Sequence, residues 1–461
     1  MQQFSESAMR LYHFRDARLT KRFVTLINRF TENPSASIPA ACGDMATTKA
    51  TYRFLDTKSL TTSTIDAGMY AETIERISRQ TTILSIQDTT QIDFTGHPAT
   101  QGLGYLSKEH SRGSLLHTAF AASADGLPLG VLDRRMWIRD MEDYGKRVDR
   151  KKKRPREKES YRWEETEAAV EARVPEQIHL VSISDREADI FDYIARPRRP
   201  RHDLLIRLSQ NRCLAERTEH HSLFEHVDAM PVQGRRALKV TDHKTGISRD
   251  AQLTYRWGTA TIAAPKTGGS SRQTPVTATI IVVREEHAPA GVKPVEWKLL
   301  TTISATSFED VLRIVQWYSF RWLIERFHYV LKSGCAIEKL QLETAARLER
   351  AIVMYMIVAW RLMYMTYLAR IHPDESAAEI LDPHEWEALH CTVNKTRTPP
   401  EQPPSVGEAI RMIAKLGGFL GRKGDGVPGV KVIWRGYRRL TDIADTYRLF
   451  VYDVKKDVGN G

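Results

Sequence analysis

Two aspartates directly follow two apolar, β-branched segments of the sequence, a position from which carboxylates can bind a ligand. Asp88 comes just after residues 81–86, and Asp185 comes just after residues 178–183. Both segments are predicted to be strands, and open α/β sheets bind ligands at the carboxyl ends of their strands. An aspartate at a strand end is more often a turn former or a helix cap, so neither residue alone identifies a site.

A third carboxylate, Glu325, lies in a long predicted helix that begins near residue 308. At ~100° per residue, the polar residues of this helix fall within an arc of about 60°. They are Tyr318, Arg321, Glu325 and Lys332. A solvated helix face with an Arg321–Glu325 pair one turn apart is the alternative interpretation of this stripe.

Three carboxylates that meet at one point repel one another, so such a site needs cations. Oxygen ligands select Mg²⁺ or Mn²⁺. If Asp88, Asp185 and Glu325 meet, the sequence therefore predicts a centre that binds Mg²⁺, with Mn²⁺ able to substitute.

The elements that must position these residues are those of an α/β sheet. Residues 115–122 and 127–137 are predicted to be further strands of the same sheet, and residues 188–195 are predicted to be helical. Residues 204–304 are β-rich and polar, which favours an inserted sheet. More helices are predicted as far as residue 369.

The first sixty residues are predicted to be helical. Asp16 is a candidate N-cap, and apolar residues recur after it at helical spacing, opposite a face with Arg18 and Arg22. A second helix over residues 46–55 carries Lys49 and Arg53 one turn apart. A solvated charged face is the simpler interpretation, and DNA binding is the alternative.

Charge and cysteine content restrict the class of protein. The chain has 461 residues, and 68 Lys and Arg against 57 Asp and Glu give a net charge of +11, which favours a polyanionic partner. Its four cysteines form no C-x-x-C pair, which indicates neither a zinc site nor a disulfide framework and favours a reducing cytoplasm. Residues 351–368 are apolar but contain Arg361, so we expect a buried core helix and no membrane association.

A basic run and the C-terminal region have no assigned chemistry. Residues 146–156 form a dense basic run, predicted to be a surface loop or helix end, with phosphate contact as the minority interpretation. Residues 406–416 and 434–447 are predicted to be helices of a C-terminal region, and spacing alone favours a small helical core.

Three motifs together resemble the transposon-five branch of the insertion-sequence-four family of DDE transposases. They are residues 87–90 (Gln-Asp-Thr-Thr), residues 185–190 (Asp-Arg-Glu-Ala-Asp-Ile), and the Y-x2-R-x3-E-x6-K pattern from Tyr318 to Lys332. Shorter similarities run from residues 18–22 and 50–54 to residues 416–419 and 434–436, so the resemblance covers nearly the whole chain.

The resemblance implies an α/β fold: a ribonuclease-H-like catalytic core with an inserted antiparallel β region, flanked by two helical domains. Residues 1–62 would be an N-terminal DNA-end-binding domain. Residues 63–369 would be the catalytic domain, with the β insertion at about 220–304. Residues 370–461 would be a C-terminal dimerisation domain.

The resemblance also implies roles for individual residues. Asp88, Asp185 and Glu325 would be the catalytic triad and would hold two metal ions. A second set of residues would contact DNA: Arg22, Arg53, Arg186, Arg207, Arg212, Trp297, Tyr318, Arg321, His328 and Lys332. Trp297 would stack on a base flipped out beside the cleavage site, although a core tryptophan is the commoner fate of this residue type.

The implied function is cut-and-paste DNA transposition at the bacterial nucleoid, in the cytoplasm. A homodimer would join two double-stranded DNA ends in a synaptic complex, cleave them through a hairpin, and insert them into target DNA. An inactive DNA-binding regulator and a metal-dependent structure-selective nuclease are the alternatives. Glu32 and Asn33 replace a family Lys-Tyr pair, and Tyr329 replaces a basic residue, so we expect recognition of the end sequence to differ.

Overall fold

A computed structural model of the chain describes residues 9–12, 14, 16–108, 110–145, 158–216, 220–241, 248–266, 272, 274–422 and 424–453. The basic run at residues 146–156 lies outside these residues, as does the end of the chain from residue 454.

From residue 17 to residue 77 the described chain forms four helices, as the N-terminal sequence predicts for its first sixty residues. They are α1 (Ala17–Glu32), α2 (Ile38–Cys42), α3 (Met45–Asp56) and α4 (Thr62–Ile77). The predicted N-cap is confirmed, because the Asp16 side chain accepts from the Arg18 N–H at 2.8 Å. Phe23 and Phe30 are buried, whereas Arg18 and Arg53 are exposed, so the apolar and basic faces separate as expected.

In the described part of the chain, ten strands form one sheet. They are β1 (Thr82–Asp93), β2 (Gly104–Tyr105), β3 (Arg112–Ser123), β4 (Pro128–Trp137), β5 (His179–Ser184), β6 (His202–Arg207), β7 (Gly234–Thr241), β8 (Ser248–Ile262), β9 (Val276–Glu285) and β10 (Glu296–Thr301). Their order is β2-β3-β1-β5-β6-β10-β9-β8-β7, with β4 beside β3. Strands β1, β5 and β6 are mutually parallel, and the other pairs are antiparallel. The mixed α/β class is confirmed, and the sheet is consistent with a ribonuclease-H-like core.

The β-rich region continues the central sheet instead of forming a separate one. Strand β10 pairs with β6, and β9, β8 and β7 follow outward, all antiparallel. Along β9, Ile281 and Val283 belong to the main core, whereas Ile280 and Val282 belong to a second core on the other face. This alternation is what a strand buried on both faces requires.

Helices cover both faces of the sheet. They are α5 (Arg162–Arg173), α6 (Phe191–Ile194), α7 (Leu223–Ala229), α8 (Phe308–Ser319), α9 (Trp322–Tyr329) and α10 (Ala345–Ile371). The stretch after Asp185 is less helical than predicted, because it consists of a 3₁₀ turn at Arg186–Ala188 and the single-turn helix α6. Helix α10 is long and apolar enough to cross a membrane, but 83% of its most apolar window is buried in the protein. The prediction of a core helix is therefore confirmed.

The prediction of one continuous helix from residue 308 to 331 is wrong. Helix α8 ends at Ser319, and the Phe320 N–H bonds back only three residues, to Trp317 O at 3.1 Å. The chain then continues as α9 and widens into a π-helical turn at Val330–Gly334. These tighter and wider turns change the rotation per residue along the segment.

The C-terminal helices are α11 (Pro383–Asn394), α12 (Val406–Leu416) and α13 (Val430–Tyr447). Helices α12 and α13 approach closely at Gly436, where a Cβ would collide with the Ile413 carbonyl oxygen. The two predicted C-terminal segments, residues 406–416 and 434–447, are confirmed as helices α12 and α13, and α13 begins four residues earlier than expected.

The close approach at Gly436 gives a testable stability prediction. We expect Gly436→Ala to destabilise the packing of α12 on α13 by about 1–3 kcal/mol, because the added methyl group overpacks a backbone contact. Thermal unfolding followed by circular dichroism measures the loss. Gly429→Ala is the matched control, since a Cβ there meets nothing within 4 Å; an equal loss in both variants would contradict the prediction.

Candidate active site

Asp88 and Asp185 occupy equivalent positions on two neighbouring parallel strands. Ile86 of β1 pairs with Ile183 of β5, and each aspartate follows its isoleucine by two residues. Side chains two residues apart lie on the same face of a strand, and adjacent strands are about 4.8 Å apart. The register therefore places the two predicted catalytic aspartates side by side. Asp185 follows the end of β5 as predicted, whereas Asp88 lies inside β1, which continues to Asp93 because its second half still pairs with β3.

The ionisation of Asp88 shows that the third carboxylate is also near. Burial, together with the charges of Asp185 and Glu325, raises the pKa of Asp88 to about 7, against the opposing effects of the Thr89 N–H and Arg321. Neighbouring carboxylates raise a pKa in this way only when they are close. The three predicted triad residues therefore share one region of the structure.

Asp185 and Glu325 each accept a hydrogen bond from a neighbouring residue, and Asp88 lies near a histidine. Asp185 Oδ1 accepts from the Glu187 N–H at 2.8 Å, and Glu325 Oε1 accepts from Arg321 Nη1 at 2.6 Å. Both contacts match the alternative interpretations, a turn cap and a helix-face ion pair. Asp88 Oδ2 lies 3.8 Å from His328 Nδ1.

The carboxylate oxygens needed for a metal site are present, but they are not arranged around one point. Three carboxylates are the donors that Mg²⁺ prefers. Across the described ranges, however, no group of three or more His, Cys, Asp or Glu side chains is arranged to hold a metal ion. The metal centre stays a prediction, and in this arrangement Oε1 of Glu325 is held by Arg321.

Arginines surround Tyr318 beside the triad. Burial lowers the pKa of Arg207, and the charges of Arg186 and Arg321 lower it as well, against Tyr318 and Glu296. Arg207 Nη2 also donates to the Glu296 carbonyl oxygen at 2.7 Å. Guanidinium groups close enough to repel one another favour a polyanion such as a nucleic-acid backbone.

Trp297 lies on β10 next to this basic group. Its ring packs edge-on against Tyr318, with ring centroids 5.5 Å apart and planes at 69°. The indole is partly exposed, so it is not the fully buried core tryptophan of the alternative interpretation. Stacking of Trp297 on a flipped base stays a prediction.

Two of the residues expected to contact DNA, His328 and Arg212, lie among other protein groups in this structure. His328 is only 5% exposed, and burial, with Lys332, lowers its pKa to about 3, so the imidazole is neutral at pH 7. Arg212 donates to Asp189 Oδ1 at 2.5 Å and to its carbonyl oxygen at 2.7 Å. In this arrangement His328 lies beside Asp88, and Arg212 holds the turn after β5, so contact of either residue with DNA stays a prediction.

Lys332 is also engaged within the protein. Its Nζ donates to the Gln91 carbonyl oxygen at 2.8 Å and lies 3.0 Å from Glu338 Oε1. The lysine sits on the π-helical turn, a distortion that often occurs at functional sites. Binding a phosphate would require Lys332 to exchange Glu338 for the ligand.

Arg22 and Arg53, the two expected contacts outside the sheet, lie on helices α1 and α3. Arg53 is exposed and Arg22 is half-buried. They form part of the N-terminal helical region, separate in sequence from the triad.

Sequence analysis missed a hydrogen-bonded group beside the triad. Arg162 contacts both Thr89 and Glu187, and the buried His117 bonds Thr89 in turn. Burial, then the charge of Arg162, lowers the pKa of His117 well below its usual value. Glu187 lies within a quoted motif, but nothing in the sequence links Arg162 or His117 to the triad.

Comparison with known families places both ends of the chain. Residues 1–60 match the family described as "Transposase DNA-binding". Residues 357–452 match the family described as "Transposase Tn5 dimerisation domain". The first match covers α1–α3 with Arg22 and Arg53, and the second covers α11–α13 and the end of α10.

A transposase DNA-binding region and a transposase dimerisation region in one chain, with a mixed α/β sheet between them, support a transposase. The two regions likewise support DNA and a second copy of the chain as partners. The dimerisation match names one type of transposase, Tn5. The two matches together therefore support a Tn5-type transposase.

Proposed function

We propose that this transposase performs cut-and-paste transposition of DNA by metal-dependent phosphoryl transfer at Asp88, Asp185 and Glu325. Two protomers would join two transposon ends in a synaptic complex. The reaction would proceed by 3′-strand hydrolysis, attack of the freed 3′-hydroxyl on the opposite strand to form a hairpin, hairpin opening, and strand transfer. We place the activity at the bacterial nucleoid, in the cytoplasm.

The observation that carries the proposal is the placement of the carboxylates. Two aspartates stand at matched register positions on parallel strands, and Asp88 responds to the charges of both Asp185 and Glu325. Burial first, and then the charges of Asp185 and Glu325, raise the pKa of Asp88 to about 7. A site that concentrates carboxylates in this way is what a divalent cation would stabilise.

Asp88, Asp185 and Glu325 would hold two Mg²⁺ ions, with Mn²⁺ able to substitute. When bound, such ions supply an activated hydroxyl nucleophile and stabilise the leaving oxygen. The chain's own residues hold and orient the DNA. Arg207 and Arg321 neutralise the phosphate beside the scissile bond, as charge-assisted donors.

Trp297 would make room for the sharply bent hairpin. Stacking a flipped base on an aromatic ring contributes roughly 1–3 kcal/mol per base. Tyr318 packs against the Trp297 ring in a T-shaped contact, at a centroid distance of 5.5 Å, and so supports the ring near the basic residues. The pair therefore suits base stacking close to Arg207.

The direct test is cleavage of a linear DNA fragment that bears the element's own ends. We expect 3′ nicks, then hairpin ends, with Mg²⁺ or Mn²⁺, and no cleavage with EDTA. Denaturing electrophoresis resolves both products. Intact DNA with either metal would refute catalysis and leave the inactive regulator.

Footprinting separates a transposase from a structure-selective nuclease. A transposase protects a particular end sequence, because its N-terminal helices recognise it. A nuclease would cut without protecting any particular end. Metal-dependent cutting without end protection would therefore support the nuclease alternative.

Lys332→Ala is expected to weaken binding of the transposon end and to leave metal binding intact. Loss of one phosphate contact should reduce the salt dependence of binding, the slope of log K against log [salt], by about 1. Gel-shift titrations at several salt concentrations measure this slope. Lys339→Ala is the matched control, since Lys339 is a nearby exposed lysine; an unchanged slope in Lys332→Ala would contradict the predicted role.

A further inference from the structure

Arg162, the first residue of α5, donates hydrogen bonds in three directions. Its Nε donates to Thr89 Oγ1 at 3.0 Å, and its Nη2 donates to Glu187 Oε2 at 3.0 Å. Its Nη1 donates to the Glu159 carbonyl oxygen at 2.9 Å. The side chain is 15% exposed, so this fork is held within the protein.

The two side-chain partners of Arg162 flank the two aspartates. Thr89 directly follows Asp88 on β1. Glu187 follows Asp185 by two residues, and its N–H donates to Asp185 Oδ1 at 2.8 Å. One guanidinium group thus connects the strand that carries Asp88 to the turn that carries Asp185.

Buried side chains fix the β1 end of this connection. Thr89 Oγ1 lies 2.8 Å from His117 Nδ1, and His117 Nε2 lies 3.1 Å from Gln87 Oε1. Both His117 and Gln87 are fully buried. Thr89 therefore cannot move without disturbing a buried hydrogen-bonded network, which gives Arg162 a rigid anchor.

Aromatic rings hold the guanidinium group itself. It lies 5.5 Å from the ring centroid of Trp163 and 5.6 Å from that of Trp137. A planar fork that bonds two acceptors at once and stacks on rings is a property of arginine that lysine lacks.

We propose that Arg162 is a positioning residue that sets the separation of Asp88 and Asp185, so that both can serve one metal centre. The inference rests on the proposed function. Arg162 acts through Thr89 and Glu187 and does not itself contact the reacting phosphate. Partners of this kind, one step removed from the ligands, typically change metal affinity by about 10–100-fold when lost.

The test measures Mn²⁺ binding to the full-length chain by isothermal titration calorimetry, without DNA. We expect Arg162→Gln to weaken binding by about 10–100-fold, and Arg162→Lys to fail to restore it, because charge alone does not reproduce the fork. Glu187→Gln should weaken binding similarly. The double variant should be no weaker than the single variants, since both changes break the same connection.

Arg173→Gln is the matched control. Arg173 lies at the other end of the same helix and pairs with Asp133 at 2.7 Å, not with the residues that flank Asp88 and Asp185. Unfolding temperatures of all variants are compared, and Glu187, whose side chain is 62% exposed, provides a variant that folds if Arg162→Gln does not.

Four outcomes would overturn the inference: unchanged Mn²⁺ affinity in Arg162→Gln, an equal loss in Arg173→Gln, full rescue by lysine, or additive losses in the double variant. Wild-type protein that neither binds Mn²⁺ nor cuts DNA would instead refute the proposed function. The two failures are therefore distinguishable.

Discussion

Asp88→Asn is expected to reduce cleavage of transposon ends by about 10³-fold or more while the ends still bind. Asp88 is the triad residue that responds to the charges of both others, and an amide in its place removes one anionic metal ligand. Ligands of a catalytic ion supply several kcal/mol of transition-state stabilisation, and each ~1.4 kcal/mol is tenfold in rate. Single-turnover cleavage with Mg²⁺ measures the rate, and gel shift measures binding.

Asp203→Asn is the control for this prediction. Asp203 lies on β6 of the same sheet, near the start of the strand, and its carboxylate accepts from Thr302 Oγ1 at 2.6 Å. Its distance from the carboxyl ends of β1 and β5 leads us to expect a cleavage rate close to wild type. If Asp88→Asn cuts at the wild-type rate, the proposed triad is wrong. If it no longer binds the ends, Asp88 has a structural role that the proposal does not include.

Local sequence patterns correctly predicted the strand segments that precede the two aspartates, but not that the aspartates form a site. Each lies just after an apolar, β-branched segment, and the structure makes both segments strands. The pairing of Ile86 with Ile183, which aligns Asp88 with Asp185, could not be predicted in the same way. It depends on which strands neighbour each other, and residues 94–178 separate the two along the chain.

Helical periodicity did not predict the breaks in the helix on either side of Glu325, because it assumes constant rotation per residue. The tightened turn at Phe320 and the π-helical turn at Val330–Gly334 break that assumption. The Arg321–Glu325 pair survives because both residues lie within the same short stretch. Lys332 instead reaches Gln91 and Glu338, contacts that its helical position does not specify.

Tertiary contacts account for the other differences. The family resemblance implied that His328 and Arg212 contact DNA, but in this structure His328 is buried beside Asp88 and Arg212 pairs with Asp189. Arg162 shows the converse. Its role depends on contacts with Thr89 and Glu187, 73 and 25 residues away, and no local motif encodes such contacts.

A second large effect is expected from Glu167→Gln, which should destabilise the fold by about 3–5 kcal/mol at pH 7. Glu167 lies on α5 with a fully buried side chain, 3.0 Å from Arg198 and 3.1 Å from Arg196. Burial alone would raise the pKa of Glu167, but Arg198, His202 and Arg196 outweigh it and hold the pKa at about 2. The amide would leave the Arg198 guanidinium without its anion and leave Arg196 with Glu171 as its remaining carboxylate partner.

The same carboxylate predicts acid sensitivity. Its pKa is lower in the folded state than the ordinary value of 4.5, so the unfolded chain takes up the proton first. The stability that Glu167 contributes is therefore fully present above about pH 4.5 and is lost as the pH falls towards 2. The free-energy difference between wild type and Glu167→Gln should shrink over this window, as measured by chemical denaturation at a series of pH values.

Glu165→Gln tests whether burial is the cause. Glu165 lies on the same helix and pairs with Arg135 at 3.3 Å, but its side chain is 43% exposed. Exposed pairs contribute about 0–1 kcal/mol, so this variant should change stability little at any pH. Equal losses in the two variants, or a Glu167→Gln effect that stays constant from pH 7 to pH 3, would contradict the prediction. Either result would show that the buried charge of Glu167 does not stabilise the packing of α5 against Arg196 and Arg198.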